Sequence, residues 1–471
     1  MASLFKNTVY FRRLKISALG NLLSSLKGMI YMTLALNRDG SSEKKVRNTA
    51  LIFMGLSHIL YLKQYIKGAV FALIEILMLI NIPTIVKGIT ELITLGEPQP
   101  HLPVMQRNNS LFMLIDGVIV LAIIFVFACI YAVSVKSATK SYKSFCVTGK
   151  LERKKLFDVL DGAFPIAGLA PMVILVLFFV VVPLVFSAAV AFTNYSSPKH
   201  IAPNNTIDWV GFENFKTLFG GDATWTSAFG RVALWTLIWA VLATFTCYAG
   251  GLIMAVVMHE TKFKINPVFR SIFILPYAVP SVVTMLVWQN LLNGSFGIVN
   301  RTLIAIGILE KGEVIPWLTD PTFAKFTCVL INLWAGFPYF MLLAMGTMTA
   351  IKEDIFEAAR IDGANKWQVF KSITLPNVIY QTMPLIIMSF AHNINNFGAI
   401  FFLTGGEPNV ADSTTTYAKG TDIVVTWIYK LTVNMQQYHY AAVLAVCIFI
   451  VLAPFSIWNF RNTKSFKEGE M

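Results

Sequence analysis

Eight stretches of this chain are apolar for long enough to cross a lipid bilayer, and no other feature limits its fold so strongly. They lie near 69–89, 111–135, 166–192, 229–258, 270–293, 324–349, 380–403 and 440–460. A helix needs about 20 such residues to span the hydrocarbon core. Only 13% of the residues are charged, against roughly 25% in an ordinary soluble domain. The expected fold is an all-α polytopic membrane protein of about eight transmembrane helices. The last six, from 166 onward, read as one unit, and the first two as an amino-terminal addition.

The formal net charge of +13 invites a nucleic-acid reading, but its placement opposes one. With the amino terminus inside, 28 of the 38 Lys and Arg fall in the inward segments 1–68, 136–165, 259–270, 350–379 and 461–471. That asymmetry is the positive-inside pattern. It predicts a multi-pass protein of a bacterial cell membrane with both termini in the cytoplasm. Spread over several loops, the basic residues make no nucleic-acid patch. The five cysteines form no CxxC pair, so neither a disulfide framework nor a metal site is indicated. No short apolar core with a small-residue cleavage site follows Met1, so a cleaved signal peptide is not expected.

Along the chain, residues 1–68 are basic and only patchily apolar. The 13-residue run Ala50–Leu62 is short for a crossing, and is read as a helix lying at the cytoplasmic interface, with a re-entrant piece or an extra crossing as the alternatives. Glu75 sits inside the first span, where a carboxylate has to be paired or turned toward the bundle interior. Residues 136–165 read as a basic cytoplasmic linker. The outward loop after the third span carries Trp209–Phe215, together with a formal Asn204-Asn205-Thr206 sequon that is given no weight. Span five opens Leu275-Pro276-Tyr277-Ala278-Val279-Pro280-Ser281. Its two prolines remove two backbone donors and prevent regular helix. Broken backbone at membrane depth survives where it is buried in protein or lines a cavity. Span six carries Asn332-Leu333-Trp334-Ala335-Gly336-Phe337-Pro338-Tyr339, and span seven carries Ser389-Phe390-Ala391-His392-Asn393-Ile394-Asn395-Asn396-Phe397. Three Asn and a His within five residues belong in a polar interior rather than in lipid.

Between spans six and seven, on the inward side, lies Glu357-Ala358-Ala359-Arg360-Ile361-Asp362-Gly363, followed nine residues later by Ile373-Thr374-Leu375-Pro376. Glu357, Ala358 and Ala359 suit a short helix whose small side chains permit close approach. Gly363 allows the turn that ends it. A second amphipathic helix follows, presenting Trp367, Phe370, Ile373 and Leu375, and Pro376 is expected to stop it before span seven. Two short helices at an angle make a rigid knob for a cleft on a partner, and Glu357 offers that partner a charge.

This spacing resembles the cytoplasmic docking loop of importer-type ABC permeases, the membrane subunits coupled to a separate ATPase. From about residue 160 onward the chain is similar to the larger membrane subunits of maltose/maltodextrin ABC importers. The likeness rests on the 275–281 run, the 332–339 run, the docking loop, the 389–397 run and then Leu403-Thr404-Gly405-Gly406-Glu407-Pro408. Its amino-terminal 160 residues match only in layout. The resemblance implies a permease core at 166–460, preceded by an interfacial region at 1–68 and two added helices with a linker at 69–165. A cytoplasmic tail follows at 461–471. It implies a second, different permease subunit, two copies of an ABC ATPase and an extracytoplasmic sugar-binding protein. Malto-oligosaccharides are the implied substrate, and another oligosaccharide such as a galacto-oligosaccharide is the alternative. Docking on the ATPase falls to Glu357, Ala358, Ala359, Asp362, Gly363, Phe370, Ile373, Leu375 and Pro376.

The resemblance also implies which residues touch sugar: Tyr277, Ser281, Asn332, Gly336, Tyr339, Asn393 and Asn396. Neutral donors and acceptors suit hydroxyls, and aromatic faces suit sugar C–H surfaces. Two positions depart from the family pattern: His392 where Phe is expected, and Ala335 where Leu is expected. No Arg or Lys appears in the three polar runs, which argues against a phosphorylated substrate. A transporter driven by an ion gradient predicts intramembrane carboxylates along a path, and only Glu75 qualifies. Gly149-Lys150 lacks the upstream glycine of a phosphate-binding loop and is followed by Leu151, and no HExxH or acidic metal cluster occurs. The chain is therefore expected to be no enzyme and to bind no cofactor, with Mg-ATP used by the partner ATPase.

Overall fold

A computed structural model describes residues 40–148, 168–260 and 266–462. The amino-terminal 39 residues, the linker at 149–167, residues 261–265 and the tail from 463 lie outside the described residues. Among those described, the secondary structure is helical, apart from the isolated bridges Thr193↔Trp209 and Ser196↔His200. Six helices are long and apolar enough to cross a membrane, and two bent pairs bring the number to eight. These eight correspond one to one with the apolar stretches. Phe179 is 76% exposed, and Leu169, Met172 and Val173 are exposed beside it. Such apolar side chains on a long helix face lipid rather than water.

Packing divides the described chain into two units, one of 40–98, 108–148 and 168–186, the other of 99–107, 187–260 and 266–462. In the first, α1 (Gly40–Ile52) ends at Phe53, and α2 (Leu56–Leu60) is a single turn. The expected helix over Ala50–Leu62 is thus interrupted, at Gly55, whose φ is 87°. A bent pair follows, α3 (Tyr65–Ile80) and α4 (Ile82–Thr94), turning by 55° where Pro83 withholds a helix donor. Helix α5 (Ser110–Thr148) runs well past the predicted end of span two, into residues read from sequence as linker. The reason is amphipathic: Ser134, Ala138 and Tyr142 recur every fourth residue and are buried, while Lys136, Lys140 and Lys143 are exposed. Val46 and Ala50 of α1 pack with Leu62 against Ala138 and Tyr142, and the third span, α6 (Gly168–Val190), follows in the chain.

Glu75 is buried and accepts a hydrogen bond from the Met54 backbone N–H at the break between α1 and α2. It therefore faces inward and holds a turn. The Tyr131 hydroxyl donates to the Leu51 carbonyl at 2.9 Å, securing the same turn from α5. His58 on α2 lies 3.2 Å from Ser137 Oγ, and burial, with Lys67 nearby, pushes its imidazole down to about 4. It is neutral at pH 7.

The second unit is built on α7 (Ala223–Glu260) and α11 (Pro321–Thr349), which pack along most of their lengths. Between them in sequence stand α8 (Asn266–Ala278), α9 (Ser281–Leu291) and α10 (Ile298–Ala305). Trp235, Trp239 and Ala243 of α7 meet Cys328 and Ile331 of α11 toward one end. Leu252 and Ala255 meet Met341, Ala344 and Met348 toward the other. Small residues at this seam let the two backbones approach. The loop after α11 holds α12 (Glu353–Ile361) and α13 (Lys366–Val369), and α14 (Leu375–Ile394) and α15 (Phe397–Thr404) follow. The chain closes with α16 (Val424–Val433) and α17 (Tyr438–Asn462).

Residues 404–433 are fastened to α7 by polar contacts. The Arg231 guanidinium pairs with Asp412 at 2.5 Å and donates to the carbonyls of Lys419 and Ala418 at 2.8 and 2.9 Å. Trp235 Nε1 donates to the Thr421 carbonyl at 3.0 Å. Within the segment, Lys430 Nζ meets Asp422 Oδ2 at 2.7 Å, with 5% and 0% of the two side chains exposed. Burial pushes the Lys430 ammonium down, and the Asp422 carboxylate opposes that shift. The Asp422 carboxylate also accepts from Thr426 Oγ1 at 2.8 Å and the Lys419 backbone N–H at 2.7 Å. Removing one partner of a buried pair strands the other charge and costs about 3–5 kcal/mol, whereas neutralising both costs far less. Lys430→Met is therefore expected to lower the thermal unfolding midpoint of the detergent-purified protein sharply. The double variant Asp422→Asn with Lys430→Met is expected to recover most of that loss. A double variant that loses the sum of what Lys430→Met and Asp422→Asn each lose alone would show that the pair is not coupled.

Candidate functional site

The backbone of the second unit leaves regular helix at two places that face one space. Pro276 lies inside α8, and at Val279–Pro280 the chain turns by 91° into α9, which Pro280 precedes as cap with φ −53°. This is the break expected from the two prolines, and it sets Tyr277 and Ser281 on either side of the bend. The second interruption is at Asn395–Asn396, between α14 and α15. There the Asn396 side chain accepts from the Ala399 backbone N–H at 3.3 Å and caps α15. Short polar side chains cap helix starts because they satisfy donors the helix cannot.

All seven residues expected to touch sugar line two adjoining cavities between α7, α8, α9, α11 and α14, of about 350 and 500 Å³. The first is lined by Tyr277, Asn332, Gly336, Tyr339, Asn393 and Asn396; the second adds Ser281. Tyr277, Asn332, Gly336, His392 and Asn396 belong to both. The Tyr277 and Tyr339 rings lie 6.1 Å apart and tilted by 32°. Neither lining contains a charged side chain. The two departures from the family pattern, Ala335 and His392, also line the second cavity. Volume of this order with a few convergent polar groups is what small-molecule sites share.

Residues that sequence reasoning passed over complete the walls: Ala243 and Cys247 of α7, Thr284 and Met285 of α9. Cys247 Sγ donates to the Asn332 carbonyl and accepts from Asn332 Nδ2, each at 3.3 Å. The only hint of this in the sequence is a thiol three residues beyond Thr244 and one beyond Thr246 in a largely apolar helix. Gly336 makes the contact possible, because a Cβ there would stand 2.8 Å from Cys247 Sγ.

The loop that joins α11 to α14 forms the second candidate site. Helix α12 carries Glu353 and Asp354 in its first turn and Arg360 in its last, each sign suited to its end of the helix dipole. Glu357 and Ala358 are exposed and Ala359 is half-buried. The helix ends as expected at Asp362–Gly363, with Gly363 at φ 75°. The Gly363 N–H donates to the Arg360 carbonyl at 3.1 Å and the Ala364 N–H to the Ala359 carbonyl at 3.0 Å, a complete Schellman end. Asn365 and Gln368 then form a capping box that starts α13. Ile361 is 86% exposed and Trp367 67%, and the Trp367 ring stands 5.6 Å from Phe370. A shallow depression of about 340 Å³ lies between the two helices, lined by Asp362, Gly363, Ala364, Gln368 and Ile373 among others. Exposed apolar groups rimmed by polar ones mark a docking face.

Pro376 does not stop the second helix. A π turn at Phe370–Thr374 joins α13 to α14, and Thr374 and Leu375 both keep right-handed helical backbone. The widened turn takes up the donor that proline lacks, so Pro376 falls within the first residues of α14. Phe370, Ile373 and Leu375, all half-buried, therefore stand on one continuous rod that leads from the docking loop to Asn393.

A family described as binding-protein-dependent transport system inner membrane component matches residues 248–460, which contain the α12–α13 loop and all of the cavity lining except Ala243 and Cys247. The chain belongs to this family of membrane permeases, and is a multi-pass membrane protein. Among its relatives is the galactooligosaccharides transport system permease protein GanP of Bacillus subtilis (strain 168). It is 36% identical over 411 residues, covering 87% of this chain and 95% of that one. The maltodextrin transport system permease protein MalC of Streptococcus pneumoniae serotype 4 is 34% identical over 426 residues, covering 88% and 95%. The fold is shared with a chain of a bacterial alginate ABC transporter solved in complex with an alginate pentasaccharide-bound periplasmic protein. That chain is 22% identical, with TM-score 0.53 over 67% of this chain and 99% of that one.

An alanine at Gly336 would press on Cys247, and overpacking of this kind costs about 1–3 kcal/mol. Gly336→Ala is expected to lower the thermal midpoint of the purified protein. Adding Cys247→Ala is expected to restore part of the loss by removing the sulfur. A double variant no better than the single one would place the clash elsewhere.

Proposed function

We propose that this chain is one of two different permease subunits of an ATP-driven importer, and that its substrate is a malto-oligosaccharide. The observation that carries this reading is the uncharged cavity lined by Asn332, Tyr339, Tyr277, Ser281, Asn393 and Asn396, set where two helices break. Amide and hydroxyl groups match sugar hydroxyls, and the tilted pair Tyr277 and Tyr339 offers faces to sugar C–H surfaces. Asn332–Tyr339 lie near the middle of α11, and the docking loop begins where α11 ends. That arrangement suits a midplane site flanked by rocking helices.

On this reading both termini are cytoplasmic and residues 166–460 form the permease core. Two copies of a separate ABC ATPase dock on Glu357, Ala358, Ala359, Asp362, Gly363, Phe370, Ile373, Leu375 and Pro376. ATP, with magnesium, is hydrolysed there, and this chain carries neither cofactor nor catalytic group. A binding protein delivers the sugar from outside. ATP-driven closure of the ATPases draws the docking knobs together, turns the path outward and receives the sugar; hydrolysis returns it inward. A galacto-oligosaccharide is the second reading, favoured by the 36% identity to the Bacillus subtilis permease.

The test is ATP hydrolysis and sugar import by a reconstituted complex of this chain, its partner permease, the ATPase pair and the binding protein. Maltotriose is expected to stimulate both. Asn332→Ala is expected to lower import at least about tenfold while the complex still assembles, since losing a buried sugar hydrogen bond costs about 1–3 kcal/mol. Stimulation by galacto-oligosaccharides alone would replace the substrate and keep the mechanism. A complex that couples to no ATPase would end the reading.

A further inference from the structure

We infer that Thr244 and Cys247 of α7 are positioning residues, Thr244 holding Asn393 in the orientation that the Ala399 N–H sets and Cys247 holding Asn332, so that each asparagine turns a fixed face to the substrate. The inference rests on the sugar-binding reading of the cavity.

The argument begins at a donor whose direction is not open to choice. The Ala399 backbone N–H at the start of α15 can only donate, and it donates to Asn396 at 3.3 Å. The atom it meets is therefore Oδ1, which leaves the amide nitrogen of Asn396 on the other side. That nitrogen stands 3.2 Å from Asn393, whose facing atom must accept and is again Oδ1. The Asn393 nitrogen is thereby turned toward α7, where Thr244 Oγ1 accepts from it at 3.0 Å. One backbone N–H thus orders two amides and a hydroxyl in sequence, from α15 through α14 to α7. Trp239 Nε1, one turn before Thr244, donates to the Asn393 carbonyl at 3.1 Å and holds the same backbone in place.

Three residues beyond Thr244, on a neighbouring strip of α7, Cys247 treats Asn332 in the same way. Its sulfur binds both the carbonyl and the amide nitrogen of Asn332. Thr244 and Asn393 are each about 5% exposed, so the relay is shielded from competing water. What remains for a ligand follows by subtraction. Asn396 and Asn393 each keep one N–H and one lone pair on Oδ1, while Asn332 keeps the whole of Oδ1 and one N–H. Along α14 the unused N–H groups suit substrate oxygens that accept. The wholly unused amide oxygen is on α11. Loss of the Thr244 hydroxyl removes the last acceptor of the relay, leaves a buried Asn393 N–H without its partner and loosens the orientation that the Ala399 N–H imposes.

The test uses the complete reconstituted complex with maltotriose and, separately, a galacto-oligosaccharide, measuring sugar imported per ATP hydrolysed. Thr244→Val keeps the shape and removes the acceptor; Thr244→Ser keeps the acceptor. Import per ATP is expected to fall about tenfold in Thr244→Val and to stay within about twofold of wild type in Thr244→Ser. Cys247→Ala is expected to fall in the same sense. The inference is overturned if Thr244→Val imports as wild type, if Thr244→Ser falls as far as Thr244→Val, or if import and hydrolysis fall in proportion, which is the signature of general damage to the fold. A wild-type complex that imports neither sugar would instead remove the sugar-binding reading beneath it.

Discussion

Backbone that leaves a helix inside a bilayer must find hydrogen-bond partners or a wet cavity, because the hydrocarbon supplies neither. The second unit of this protein is arranged around that constraint. Its chain breaks by 91° at Val279–Pro280 and again at Asn395–Asn396, and both breaks open onto one uncharged space. The atoms freed there are the ones the cavity uses. Asn396 caps α15 and lines the site with the same side chain. The polar groups that make the break tolerable are thus the ones that line the cavity.

Two rods tie this space to the inward loop. Helix α11 carries Asn332, Gly336 and Tyr339 at its middle and ends where the loop begins. The α13–π–α14 rod carries Phe370 and Ile373 at the loop and Asn393 near its far end. Neither path passes through a flexible joint. The Schellman end at Gly363 and the capping box at Asn365–Gln368 give the loop a set shape between them. A push on the exposed Trp367 and Ile361 face is therefore carried by helix rather than by loop. Helix α7 supplies the third element. Packed along α11, it positions Asn332 through Cys247 and Asn393 through Thr244, and it fastens residues 404–433 through Arg231 and Trp235. It holds Asn332 and Asn393 from behind and leaves most of the cavity lining to its neighbours.

Much of this was legible in the chain before any coordinates. Eight apolar stretches, counted by length alone, became eight spans, because the bilayer sets that length. The Pro276–Pro280 pair marked the break in span five, since each proline lacks a donor wherever it stands. Gly363 marked the end of α12, where a left-handed residue was needed. The seven residues carried over from the family resemblance all came to one pair of cavities. Other readings required neighbours. Residues 136–148 looked like a basic linker, because their lysines are visible in the sequence while the α1 surface that buries Ala138 and Tyr142 is not. Pro376 looked like a stop, and the π turn before it let the helix continue.

Length, hydropathy and backbone chemistry are properties of a segment, so the number of spans, the broken helix, the docking loop and the neutral character of the polar runs were determined by the sequence itself. Contacts between segments far apart in the chain are not. That Glu75 holds the Met54 turn, that Asp422 and Lys430 pair in the interior, and that Cys247 holds Asn332 across 85 positions were decided only by the fold. The orientation of the asparagines belongs to the same class. A side-chain amide has no preferred face until a donor of known direction meets it, and the Ala399 N–H reaches Asn396 only once α15 has formed beside α14 and α7.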